Sequence, residues 1–235
     1  RNEKKKIIAI IPARGNSKGI PKKNIVKLLG NPLIYYTIKE AKKSKLITDL
    51  VLSTDSTEIR KIGKKLGAKV PFIRPRNLST DFIQTLPVVK HAVKYMERKN
   101  RIKYDFVILL QPTSPLRKSK DIDYCLKRLV NSKFDSIVSV TDVGGNHPFR
   151  MKVFKNGLLK NFTGKIKEDM RPRQKLPKVF IRSGSIYLIK RNAFLKYKSL
   201  VGKKCAGIVL DGLESTNIDD IEDFKLLEMK LRTIK

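Results

Sequence analysis

Tryptophan is absent from this 235-residue sequence, and aromatic residues make up only 7% of it. A surface that grips single-stranded nucleic acid interleaves aromatics with basic residues, and no such stretch occurs here. Cysteine occurs twice, at Cys125 and Cys205, with no CxxC pair. That argues against a disulfide framework or a zinc ribbon and fits a reducing cytoplasm. No apolar run approaches the roughly 20 residues a membrane helix needs. The run Ile7 to Ile11 is short for a signal peptide and has no small-residue cleavage site behind it. The chain opens on Arg1 and not Met, as expected of a trimmed or processed end. Acids are scarce: 21 Asp and Glu stand against 53 Lys and Arg, a formal charge of +32.

Such a charge asks for an anionic partner: nucleic acid, a membrane surface or a phosphorylated small molecule. Only 15 of the 53 bases are Arg, and the Lys are spread along the whole chain with no block of five or six like charges. Spread Lys reads as a solvated surface bias, with a basic nucleic-acid-binding module as the rival. Hydrophobic residues at 40% are enough for a core, so intrinsic disorder is excluded, and the length suits one domain over residues 1–235.

Short β-branched runs alternate with amphipathic stretches. Ile7–Ile11, Asp49–Thr54, Val70–Arg74, Asp105–Leu110, Asp135–Val140, Gly184–Ile189 and Ala206–Leu210 read as strands. Pro32–Ser44, Thr57–Leu66, Leu86–Lys99, Ser119–Asn131 and Asp219–Leu231 read as helices. The rhythm predicts a three-layer α/β fold, a mostly parallel sheet covered on both faces. It breaks at about 144–182, rich in Gly, Pro, Asn and Lys, which reads as an insertion or arm.

Ligands of such sheets bind at the C-terminal strand ends. The loop after the first strand, Pro12 to Asn24, carries Gly15 and Gly19, whose backbone N–H groups can turn toward an anion, beside Arg14, Lys18 and Lys23. This is triphosphate-cradle chemistry, and it is neither a P-loop nor GxGxxG. Ser53-Thr54-Asp55-Ser56 reads mainly as a helix cap at Ser56. Arg74 to Asp81 holds a nucleotide or caps a helix. Gln111-Pro112-Thr113-Ser114-Pro115-Leu116-Arg117 fixes Gln111 between an apolar strand and two prolines, a good substrate-reading geometry. Ser215 to Asp220 offers hard oxygens for Mg²⁺ or an N-cap for the last helix. Arg171 and Arg173, beside Pro172 and Pro177, present guanidinium forks for an anion or for surface salt bridges.

Three of these segments in order carry a resemblance. Ile11 to Ile20 with Lys23-Asn24, then Leu110 to Arg117, then Pro172 to Pro177 with Gly184-Ser185-Ile186-Tyr187, together resemble the acylneuraminate cytidylyltransferases, or CMP-sialic acid synthetases. The order and spacing hold from about Ile7 to Leu231. The resemblance implies a nucleotide-diphospho-sugar-transferase-like fold and a homodimer built through the 144–182 arm. It implies transfer of CMP from CTP to a nine-carbon 2-keto acid sugar of the neuraminic, legionaminic or pseudaminic kind, with Mg²⁺. Arg14 and Lys23 would hold the triphosphate, with Ser17 and Lys18 on the nucleotide. Ala13, Asn24, Arg74 and Thr85 would line the cytidine, and Thr85 stands where the family often shows Ser. Gln111, Arg173 and Ser183 would read the sugar, and Asp219 would bind Mg²⁺.

Two departures stand out. The family's Asp-x-Asp is Asn217-Ile218-Asp219 here, which weakens the metal site by one carboxylate. Its Asn before the Gly of the third segment is Ser183, which bears on the sugar accepted. The related enzymatic alternative is a cytidylyltransferase for an eight-carbon keto acid, from which the third segment differs. The sequence assigns no general base. His91 reads as a packed or solvated helix residue, and His147 as the start of the arm near the sugar side.

Overall fold

The computed structural model describes residues 4–163, 170–210 and 212–233. β1 (Ile7–Pro12) is almost wholly apolar and buried, so both of its faces need cover. It receives that cover because its side chains alternate between two cores. Ala9 and Ile11 pack in one core; Ile8 and Ile10 pack in the other.

After β1 the chain makes a two-residue ladder, β2 (Lys27–Leu28) with β3 (Asn31–Pro32), and enters α1 (Leu33–Lys43). β4 (Asp49–Ser53) returns beside β1 in parallel, and α2 (Thr57–Lys65) follows it. α3 (Thr85–Asn100) leads to β5 (Phe106–Leu109), also parallel to β1 on its other side. α4 (Ser119–Val130) leads to β6 (Ser136–Asp142). The arm holds a hairpin, β7 (Lys152–Lys155) with β8 (Leu158–Asn161). β9 (Phe180–Lys190), α5 (Arg191–Tyr197), β10 (Cys205–Val209) and α6 (Ile221–Thr233) complete the described elements. The main sheet runs β10-β6-β9-β5-β1-β4. α1, α2 and α4 supply Ile38, Ile59 and Leu126 to one face, while α3 and α5 supply Val93 and Phe194 to the other.

The expected three-layer, mostly parallel sheet is present, with one departure. β9 lies antiparallel to both β5 and β6, because the chain leaves β6 for the arm and comes straight back beside it. β9 therefore starts at Phe180, inside the span read as insertion. The expected strand over Val70–Arg74 does not form. Only Lys69 pairs with Val51, by a bridge, and Pro71 then removes the next N–H a ladder would need. The short helix α5 and the arm hairpin have no counterpart in the sequence reading.

The hairpin lacks a core of its own. Phe154 is 78% exposed and Leu158 64%, with Leu159 and Phe162 exposed beside them. Among the described residues no helix is long and apolar enough to cross a membrane.

Candidate active site

At the C-terminal ends of β1, β4 and β5 the loops enclose a cavity of ≈ 350 Å³. Arg14, Ser17, Lys18, Lys23, Asn24, Arg74, Thr85 and Gln111, eight of the residues read from sequence, line it. The parallel register explains the gathering: Ala13 N–H continues the ladder to the Ser53 carbonyl at 2.9 Å, so the β1 and β4 loops leave the sheet side by side. Ala13 itself is fully buried in the core and does not line the cavity.

The first loop is fixed by polar contacts. Asn24 Nδ2 donates to the Arg14 carbonyl at 2.9 Å. Lys23 Nζ donates to the backbone carbonyls of Ile218 and Asp219, at 3.0 and 2.7 Å, tying the first loop to the segment before α6. Burial lowers the Lys23 pKa below the ordinary lysine value, more than the nearby Asp219 and Asp223 raise it. Gly19 is needed at this junction, since a Cβ there would meet the Asp219 carbonyl oxygen at 2.6 Å. Gly15, expected to offer its N–H to a ligand anion, already donates it to Asp55 Oδ1 at 2.8 Å. Asp81 engages Arg14 and Lys18 in ion pairs of 2.9 and 3.5 Å. Neither acid stands out in the sequence, because only the fold brings the three loops together.

Two buried guanidiniums brace the walls. Arg74 bonds the Ser53 hydroxyl at 3.1 Å and the Ser53 carbonyl, and burial pushes its pKa down to about 10. Arg117 is fully buried and bonds Ser185 Oγ (3.2 Å), Thr37 Oγ1 (3.0 Å) and the Gln111 carbonyl. Burial lowers its pKa to about 9, which still leaves it cationic at neutral pH. Its charge sits directly beneath the loop that presents Gln111. The motif shows Arg117 as a residue but gives no hint of this burial.

Gly184, at φ +76°, is where the remaining loops converge. A Cβ there would lie 2.9 Å from Gln111 Oε1, 3.6 Å from Ser114 Oγ and 3.8 Å from Asn217 Oδ1. A break in register creates this approach. Val138 pairs with Tyr187 and Val140 with Arg182, so Ser139 alone faces the four residues between. Ser183, read as a sugar contact, is buried in that bulge with its hydroxyl donating to Ser139 Oγ at 2.7 Å. Its side chain does not face the cavity.

A second cavity, ≈ 330 Å³, shares Thr85 and Gln111 with the first and adds Arg182, Tyr187 and Lys198. Arg173 lies elsewhere, in a cavity at the arm base, with Nη2 3.4 Å from Asp142 Oδ1. His147 also sits there, buried and structural. Phe149 N–H donates to its Nδ1 at 3.2 Å, so its Nε2 carries the proton and donates to the Pro177 carbonyl at 3.0 Å. His91 packs edge-on against Phe72, 4.6 Å between centroids.

For a metal, Asp219 and Asn217 lie adjacent. Asn217 turns its amide nitrogen to Asp219 Oδ2 at 2.9 Å and its oxygen to Ser114 Oγ at 3.3 Å, so joint ligation requires the amide to turn over. Two oxygens fit Mg²⁺, which keeps several waters and takes substrate phosphates as further ligands. Asp220 instead caps α6, accepting from the N–H groups of Glu222 and Asp223 at 2.9 Å. No group of three acidic, His or Cys side chains placed for a metal occurs among the described residues.

Known proteins resemble this chain in sequence and in fold. The family model described as Cytidylyltransferase matches residues 8–225. A pseudaminic acid cytidylyltransferase of Campylobacter jejuni is 31% identical over 95% of this chain and 95% of its own. A CMP-N,N'-diacetyllegionaminic acid synthase of the same species is 34% identical over 94% of this chain and 93% of its own. Among solved structures, a CMP:2-keto-3-deoxy-manno-octonic acid synthetase complexed with CTP superposes with a TM-score of 0.69. It is 16% identical, covers 98% of this chain and 100% of its own, and speaks for the fold alone.

Proposed function

The chain belongs to the cytidylyltransferase family, and from that premise we propose that it transfers CMP from CTP to the anomeric hydroxyl of a nine-carbon 2-keto acid sugar, releasing pyrophosphate. The observation that carries this reading is the cavity in which Arg14, Lys18 and Lys23 meet Gln111 at the strand ends. Relatives named for pseudaminic and legionaminic acids support the nine-carbon class.

In this reading the sugar hydroxyl attacks the α-phosphorus, and negative charge grows on the equatorial and bridging oxygens. Arg14, Lys18 and Lys23 offer positive charge to those oxygens, and electrostatic stabilisation of this kind carries most of the catalysis in such chemistry. Asn24 and Arg74 shape the cytidine side, and Thr85 stands at the passage to the second cavity. Gln111 orients the sugar there, with Arg182 and Lys198 as cations for its carboxylate. Asp219, assisted by Asn217, would hold Mg²⁺, which when bound supplies charge to the phosphate oxygens.

We place the enzyme in the cytoplasm, which suits its free thiols Cys125 and Cys205. We further propose a homodimer formed through the exposed apolar arm, which would bring Arg173 near a partner's site.

The test is pyrophosphate release from CTP with a panel of keto acid sugars. Turnover with neuraminic, legionaminic or pseudaminic acid is the expected result. Turnover only with the eight-carbon acid, or none with any sugar, would sink the proposal.

A further inference from the structure

Asp81 lines the cavity beside Arg14 and Lys18. Its Oδ1 lies 2.9 Å from Arg14 Nη1 and its Oδ2 3.5 Å from Lys18 Nζ, so one carboxylate bridges both cations. The residues on either side join in. Arg14 Nη1 donates to the Thr80 carbonyl at 3.5 Å, and Lys18 Nζ lies 5.1 Å from the centroid of the Phe82 ring. Phe82 is 90% exposed, so core packing does not secure this segment. Both ion pairs are partly open to water, where each is weak and readily exchanged.

We propose that Asp81 is a specificity-determining residue: its carboxylate occupies the polyphosphate position on Arg14 and Lys18, and a polyphosphate binds by displacing it. A ligand that reaches both cations must break these contacts, whereas one that does not reach them is unaffected. The consequence for the cycle rests on the CTP reading. Asp81 weakens CTP and pyrophosphate alike and leaves CMP untouched, so it gives up substrate affinity in exchange for faster loss of pyrophosphate. The exchange itself needs only a polyphosphate.

The experiment compares the full chain with Asp81→Asn by calorimetric titration at fixed ionic strength, using tripolyphosphate, pyrophosphate, CTP, ATP and CMP. Two exposed ion pairs of ordinary strength predict that Asp81→Asn binds tripolyphosphate, pyrophosphate and CTP about threefold to tenfold tighter, and CMP within about twofold of the parent. A second variant reads the movement. The sequence has no tryptophan, so Phe82→Trp is a single reporter on the segment. Its emission is expected to change on adding tripolyphosphate, and to be already changed and unresponsive when combined with Asp81→Asn.

Unaltered polyphosphate affinity in Asp81→Asn overturns the proposal. So does equal tightening of CMP, which a general change of field would give, and so does a silent reporter. If tripolyphosphate drives the exchange but CTP binds no tighter than ATP, the exchange stands and the CTP reading fails.

Discussion

Lys23 illustrates how much one side chain in this site does. It closes the first loop onto the 218–219 backbone and supplies charge to the cavity. Lys23→Ala is predicted to lower turnover by about 10²-fold, the scale of one lost preorganised donor. Near-parent turnover in a folded variant would remove Lys23 from the mechanism. Its lowered pKa has a sign that can be checked. A lysine whose pKa is depressed loses its proton at lower pH than an ordinary one, so activity that needs the charge declines earlier on the alkaline side. Lys23→Arg keeps the charge to higher pH, and the alkaline limb of its kcat/KM profile should move upward. An unmoved limb would assign the titration to another group. The neighbouring Asn217 makes a complementary case. Asn217→Asp adds a second carboxylate beside Asp219 and is predicted to lower the Mg²⁺ concentration for half-maximal activity. Superimposable Mg²⁺ titrations of the two forms would end that idea.

Among the elements, β9 sets the site more than any helix does. Its bulge opposite Ser139 brings Gly184 within contact of Gln111, and the left-handed φ there suits glycine. Gly184→Ala adds backbone strain of about 1–2 kcal/mol and pushes on Gln111. The predicted signature is a modest fall in Tm with a much larger rise in KM for the sugar than for CTP. Equal effects on both substrates would mean the bulge serves stability only. β1, β4, β5, β6 and β10 were legible in the sequence because their apolar runs are long, continuous and bounded by turns. Val70–Arg74 misled because its apolar content matches a strand, while Pro71 breaks the ladder. The direction of β9 was not legible, since no local pattern distinguishes a strand that returns from an arm from one that follows a helix. In the site, the Arg14, Lys23 and Gln111 segments showed in their Gly and Pro spacing. Asp55, Asp81 and Arg182 did not, because their roles arise from neighbours distant in sequence. Ser183 was read by its place in a motif, and the bulge turned its hydroxyl inward.

The whole molecule carries a charge of +32, and the cavity uses only a few of those cations. The rest of the surface explains little of the site. The arm is the larger-scale feature, with Phe154 and Leu158 exposed on a hairpin that has no core beneath it. An exposed apolar surface of this kind marks an interaction site or an aggregation hazard. Under the proposed dimer, Phe154→Asp combined with Leu158→Lys should halve the mass seen by sedimentation equilibrium without lowering Tm by the amounts typical of core substitutions. A parent that is already monomeric at micromolar concentration would remove the dimer.

β9 also joins Phe180 and Ile181, exposed where the strand leaves the arm, to the bulge in which Gly184 lies against Gln111. Ile181 and Gly184 are three residues apart, about 10 Å along an extended strand. So short a connection places the arm and the Gln111 loop on one strand, and the bulge at Gly184 is the joint between them. If association through the arm changes the affinity of the site for its ligand, thermodynamic reciprocity requires that a filled site change association by the same factor and in the same direction.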